Sequence, residues 1–135
     1  MAEAYKFELV SPERLLVSVD ATSVVIPGSE GEMTVMAQHA PTMTTVRPGI
    51  VTVNAAAGGS ERYVVFGGFA DILPEGCTVL AESATHIDEL NAADVAERVA
   101  AARAALAEVH EDEDKQRAEE FLSQLTTLQG TIIPA

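Results

Sequence analysis

The sequence contains no tryptophan, and aromatic residues make up only 4% of its 135 positions. A core without large rings must be filled by Val, Leu, Ile and Ala, which suits β-branched strands and alanine-rich helices. Cations are also scarce, with 8 Lys and Arg against 21 Asp and Glu and a net charge of −13. Nucleic acids and anionic membrane surfaces are polyanions that require clustered basic side chains, so both are excluded as electrostatic partners. A partner, if there is one, is a protein. Cys77 is the sole cysteine. It cannot close an intramolecular disulfide, and within the apolar run Cys77-Thr78-Val79-Leu80 it reads as a small buried hydrophobe of a reducing compartment. No apolar stretch is long enough to span a bilayer, and Met1 to Lys6 lack the basic and apolar regions of a secretion signal. The expectation is a soluble, unexported protein that reaches a membrane only through a partner.

The chain divides by period. From Tyr5 to about Ile87 it reads as short strands between turn residues. Tyr5-Lys6-Phe7-Glu8-Leu9 alternates apolar and polar, as does Ile50-Val51-Thr52-Val53 more loosely. Ser11-Pro12-Glu13, Pro27-Gly28-Ser29-Glu30-Gly31, Arg47-Pro48-Gly49, Gly58-Gly59-Ser60 and Pro74-Glu75-Gly76 supply the constrained φ of proline or the permissive φ of glycine. About eight to ten strands without an intervening helix imply an antiparallel sandwich or flattened barrel. Beyond Ile87, Val95, Val99, Ala102, Leu106 and Val109 recur at helical spacing. Asn91 is placed as N-cap, Asp94 at the third helical position, and Leu90 and Val95 as a hydrophobic staple. After the acidic turn His110 to Asp114, the residues Ala118, Phe121, Leu122, Leu125 and Leu128 form a second stripe that Gly130 should stop. The fold class is therefore α+β, with a β-sandwich over 1–87 and an antiparallel two-helix hairpin over 88–135. Phe121 and Leu125 are expected to pack on the alanine stripe of the first helix.

Catalytic and metal chemistry find little support. His39, His86 and His110 are widely spaced, and none forms the i, i+4 pair of a helical zinc site. Glu30 and Glu32 near His39 could be drawn as an acid and base set, but a loop rich in proline and glycine favours solvated turn carboxylates. Gly67-Gly68-Phe69 lacks the Lys and Ser or Thr of a phosphate loop and lies among strand residues, so it reads as a bulge or a close backbone crossing. No cofactor is called for.

Taken in order, Ser11-Pro12-Glu13, Pro27-Gly28-Ser29-Glu30-Gly31-Glu32, His39-Ala40-Pro41, Pro48-Gly49 and Gly67-Gly68-Phe69 resemble the epsilon subunits of bacterial F-type ATP synthases. The resemblance covers nearly the whole chain. It implies a non-catalytic rotor part of the central stalk on the cytoplasmic face of the bacterial inner membrane. Its β half clamps the γ subunit and rests on the c-ring, and its helices contact the α/β head transiently. Carried over by position, Glu30, Gly31 and Glu32 face the ring loops, while Ser11, His39, Ala40 and Pro41 face γ. Pro27, Gly28, Pro48, Gly49, Gly67 and Gly68 serve as structural turns.

Two departures from the family pattern bear on regulation. Some members bind ATP through Ile or Leu, Asp, two free positions, Arg and Ala at the start of the first helix. Here Ile87-Asp88-Glu89-Leu90-Asn91-Ala92 puts Asn91 where the arginine belongs, and the register starting at Leu90 puts Asp94 there. Neither offers a cation to a phosphate, which implies weak or absent nucleotide binding. The second helix carries Lys115 and Arg117 near its start, then Glu119 and Glu120 and no later cation, a poor match for an acidic partner. The competing readings are a small-ligand or carbohydrate-binding sandwich with a helical oligomerisation tail, which the shortage of aromatic platforms disfavours, and a free-standing enzyme, which lacks a site.

Overall fold

Period-two alternation becomes the inside and outside of a sheet: Tyr5, Phe7 and Leu9 are buried while Lys6 between them is exposed. The computed structural model describes residues 4–109 and 111–132. His110 lies outside them, as does the extreme C-terminus of the expected hairpin. Seven strands run in order: β1 (Tyr5–Val10), β2 (Leu15–Gly28), β3 (Gly31–Met36), β4 (Thr42–Ala55), β5 (Ser60–Leu73), β6 (Gly76–Ala81) and β7 (Ala84–His86). A short 3-10 turn at Ile87–Glu89 precedes helices α1 (Ala92–Ala107) and α2 (Asp112–Ile132). The chain divides into two compact units, Met1–Asp88 and Glu89–Ala135.

The sheet order is β1-β6-β5-β4-β2-β3, and a further pairing of β1 with β2 closes it on itself. β2, β4 and β5 are each 14 residues long and serve both layers. Thus β2 pairs with β1 through Leu15 to Ala21 and then with β3 and β4 through Ser23 to Gly28. The expectation of eight to ten short strands fails as a count for this reason: three long strands bend and each does the work of two. One pairing also departs from the antiparallel expectation. β1 runs parallel to β6, Phe7 opposite Cys77 and Leu9 opposite Val79. Phe7, Leu9, Ile26, Val24, Val35, Val51, Val65, Ile72 and Val79 meet between the layers, fully buried. Burial of each such side chain contributes about 1.5–3 kcal/mol. Tyr5 adds a tie from its hydroxyl to the carbonyl of Val35, 2.6 Å away.

The bend is a crease across neighbouring strands, and it corrects the assignment of four residues to turns. Pro27 and Gly28 end β2 and lead into the reversal at Ser29–Glu30, but Pro48 and Gly49 lie in the middle of β4, and Gly67 and Gly68 lie in the middle of β5. In register, Gly28 stands opposite Val46, Val46 opposite Gly68, and Gly68 opposite Ala81. At Pro48-Gly49 and Gly67-Gly68 the chain does not reverse; the whole sheet turns a corner. Two contacts enforce glycine. A Cβ on Gly68 would collide with the carbonyl oxygen of Leu80, and its φ is +143°. One on Gly49 would stand 2.6 Å from Cβ of Pro27. The actual reversals fall at Ser11–Arg14, Ser29–Glu30, Ala56–Gly59 and Pro74–Glu75.

In the helical unit, Asn91 is the N-cap: its Oδ1 accepts from the amide of Ala93 at 2.8 Å, and Asp94 lies in the first turn. α1 and α2 pack against one another, with Val95, Val99, Ala102, Leu125 and Leu128 buried. Two expectations are corrected. Phe121 remains 41% exposed, while Leu125 and Leu128 on the same helix are buried. Gly130 does not stop α2, which continues to Ile132; one glycine costs about 1 kcal/mol in a helix interior, too little to end it alone.

Three outcomes follow for stability. Gly68→Val should cost about 3 kcal/mol or more in urea unfolding, from overlap with the Leu80 carbonyl and a forbidden φ. Gly130→Ala has open space for its methyl and should stabilise α2 by up to about 1 kcal/mol, seen as a higher melting temperature of the helical signal in circular dichroism. Burial, reinforced by the charge of Asp71, pushes the Cys77 thiol from 9.0 up to about 12. The unfolded thiol ionises first, so its contribution to stability holds below about pH 9 and is lost as pH rises towards 12, a slope that Cys77→Ala should remove from unfolding midpoints measured across that range.

Candidate functional site

The strand registers lay the outer surface of one layer out as a grid. Leu15 on β2 stands opposite Val10 on β1, Val10 opposite Leu80 on β6, Leu80 opposite Phe69 on β5, and Phe69 opposite Thr45 on β4. Phe7, Leu9, Val79 and Ala70 point inward from these strands, so the row points out. Leu15 is 53% exposed, Leu80 49% and Phe69 53%. Met43 and Leu73, also exposed, flank it on β4 and β5. Single exposed apolar side chains are ordinary, but an ordered apolar row crossing four strands is the kind of surface that characterises interaction sites.

This row was missed by pattern reading. The signal was present: Leu9-Val10, Phe69-Ala70, Ile72-Leu73 and Val79-Leu80 are apolar at consecutive positions. A half-solvated strand alternates, whereas a strand apolar on both faces is covered on both. Here one face is covered by the core and the other is left open.

The acidic loop is well defined. Ser29 and Glu30 form the tip of the β2–β3 hairpin, with Gly28 opposite Gly31 and Pro27 opposite Glu32. Gly31 has a φ of +136°. Ser29 Oγ lies 3.5 Å from Thr44 Oγ1, so the tip leans on the start of β4. Glu30 and Glu32 are exposed, as turn carboxylates should be.

Ser11 and the segment His39-Ala40-Pro41 are not brought together. Ser11 follows the end of β1, in a turn where its amide donates to the Arg14 carbonyl at 2.9 Å and the Arg14 amide donates back at 3.3 Å. The connection holding His39 is tied to the other end of β1 and β6: the amide of Gln38 donates to the Pro74 carbonyl at 2.9 Å, and that of Lys6 donates to the Glu75 carbonyl. The six residues of β1 separate the two sites by about 20 Å. His39 Nδ1 lies 2.8 Å from its neighbour Ala40 O, a local contact. His86 is held elsewhere, between Glu61 at 2.5 Å and the ring of Tyr63, which it meets edge-on at 5.1 Å.

Among the described residues no group of three or more His, Cys, Asp or Glu could hold a metal ion, and no helix is long and apolar enough to cross a membrane. Asn91, at the position where a nucleotide-binding motif carries arginine, is engaged as a helix cap. The exposed row makes a stability prediction that separates it from the core. Phe69→Ser and Leu80→Ser should each shift unfolding by no more than about 0.5 kcal/mol, whereas Phe7→Ala should cost about 3–5 kcal/mol by the same urea titration.

Comparison with known proteins agrees with this architecture. Residues 4–87 match the family described as ATP synthase, Delta/Epsilon chain, beta-sandwich domain. The ATP synthase epsilon chain of Mesorhizobium japonicum is 64% identical over 135 residues, all of both chains. A chain of the Euglena gracilis mitochondrial ATP synthase, solved as its OSCP/F1/c-ring assembly, has a TM-score of 0.72 at 24% identity, covering 96% of this chain and 81% of that one. A chain of the Tetrahymena thermophila mitochondrial ATP synthase central stalk and c-ring has a TM-score of 0.61 at 10% identity, covering 94% and 97%. The fold is shared with both solved chains, and identity over the full length sets the relationship: the chain belongs to the ATP synthase epsilon-chain family.

Proposed function

We propose that this chain is a non-catalytic rotor part of the central stalk of a bacterial proton-translocating ATP synthase, on the cytoplasmic face of the inner membrane. In this reading the β unit binds the γ subunit through the exposed apolar row. The observation that carries it is the row itself, since an ordered apolar face on an otherwise acidic protein serves attachment to a protein surface. Ser11 at one end of the layer and His39 to Pro41 at the other lie too far apart for one small contact. They suit the two ends of a broad interface, with the apolar row between them. The loop Glu30-Gly31-Glu32 projects as an acidic tip and would meet basic residues on the c-ring loops, giving orientation more than affinity.

The helical unit acts as a weak regulator of hydrolysis. Its only cations on α2, Lys115 and Arg117, sit in a first half crowded with acids, which makes a poor match for the acidic α/β head. With Asn91 committed to capping, no cation awaits a phosphate, and nucleotide binds weakly or not at all.

Adding the full chain back to an ATP synthase stripped of this subunit tests the proposal. The wild type should restore coupling between ATP hydrolysis and proton pumping, and Phe69→Ser with Leu80→Ser should fail to do so while remaining folded; equal coupling with and without the chain would overturn it. Deleting Asn91 to Ala135 should raise hydrolysis by less than about twofold, reflecting a weak electrostatic brake. A calorimetric titration with ATP should show no saturable heat.

A further inference from the structure

Beside the apolar row runs a second row of outward positions: Met43 on β4 stands opposite Asp71 on β5, Asp71 opposite Thr78 on β6, and Thr78 opposite Glu8 on β1. Asp71 and Glu8 are thus two strands apart, about 10 Å in the direction of the ladder hydrogen bonds. Both are half-buried. Neither carboxylate makes a hydrogen bond or ion pair with a side chain or backbone group among the described residues. The charge of Asp71 is nevertheless felt in the sheet, where it helps hold the Cys77 thiol protonated.

Two unpaired carboxylates at the border of an apolar face create a constraint on whatever covers it. A purely apolar cover would strip water from both without compensation, which is strongly unfavourable. A cover that meets each with a cation turns the same groups into a device for register, because an apolar row alone tolerates sliding and rotation while a spaced charge pair does not. We infer that Asp71, with Glu8, fixes the orientation of the γ subunit on this face by pairing with two basic side chains of γ about 10 Å apart. This rests on the assignment of the apolar row to γ. It adds a residue-level determinant of specificity, and it requires the contacting surface of γ to be apolar with two cations along one side.

The test measures the affinity of the full chain for the synthase head and γ assembly lacking this subunit, at several sodium chloride concentrations. Asp71→Asn should weaken binding by about tenfold or more and flatten its salt dependence, and Glu8→Gln should act in the same direction from a different strand. Asp71→Glu should keep most of the affinity, and Phe69→Ser should weaken binding while leaving the salt dependence as steep as in the wild type. If Asp71→Asn and Glu8→Gln bind as the wild type does while Phe69→Ser binds poorly, the charge-pair inference falls and the assignment of the face stands. If Phe69→Ser also binds normally, the assignment of the face falls and the charge-pair inference with it.

Discussion

The sandwich depends on a place where backbone must touch backbone. At the crease, Gly68 lies so close to the Leu80 carbonyl that no side chain can be admitted, and Gly49 presses on the ring of Pro27. Because these contacts sit on adjacent strands in register, the bend is shared, and β4 and β5 pass from one layer to the other without losing their pairing. The apolar core is the result of that bend. Without it, Ile26, Val51 and Val65 would stay on a flat sheet and face water instead of Phe7, Leu9 and Val79.

A sheet folded in this way has a surface as ordered as its interior. Strand registers that align core residues inside also align Leu15, Val10, Leu80 and Phe69 outside, so the outer face is laid out by the same ladder as the core. A face preset in this way lowers the ordering cost of association. It also suits the proposed role as a rotor part, in which a docked surface would have to transmit rotation and compliance would be lost motion.

Much of this was legible in the residues, and what was not has a physical cause. The change from period two to helical spacing near Ile87 located the end of the β unit, and Asn91 announced its helix through cap chemistry that is local and so readable. Pro48-Gly49 and Gly67-Gly68 were read as turns because those residue types serve both chain reversal and sheet bending, and only the neighbouring strand distinguishes the two. The parallel pairing of β1 with β6 and the exposed apolar row were out of reach for a related reason. Both are properties of register between segments distant in sequence, and local periodicity carries no information about which strand lies beside which.

The parallel pairing has a consequence for how the chain is made. β1 precedes β6 in the chain, and its partner Cys77 arrives about seventy residues after Phe7. Until then β1 can pair only with β2, leaving a hydrogen-bonding edge open beside the apolar Tyr5, Phe7 and Leu9 of its inner face. Such an edge is a template for association with other nascent chains. The closing strand therefore does more than complete a core: it ends a period of vulnerability that lasts through most of the synthesis of the β unit, and slow translation upstream of Gly76 would prolong it.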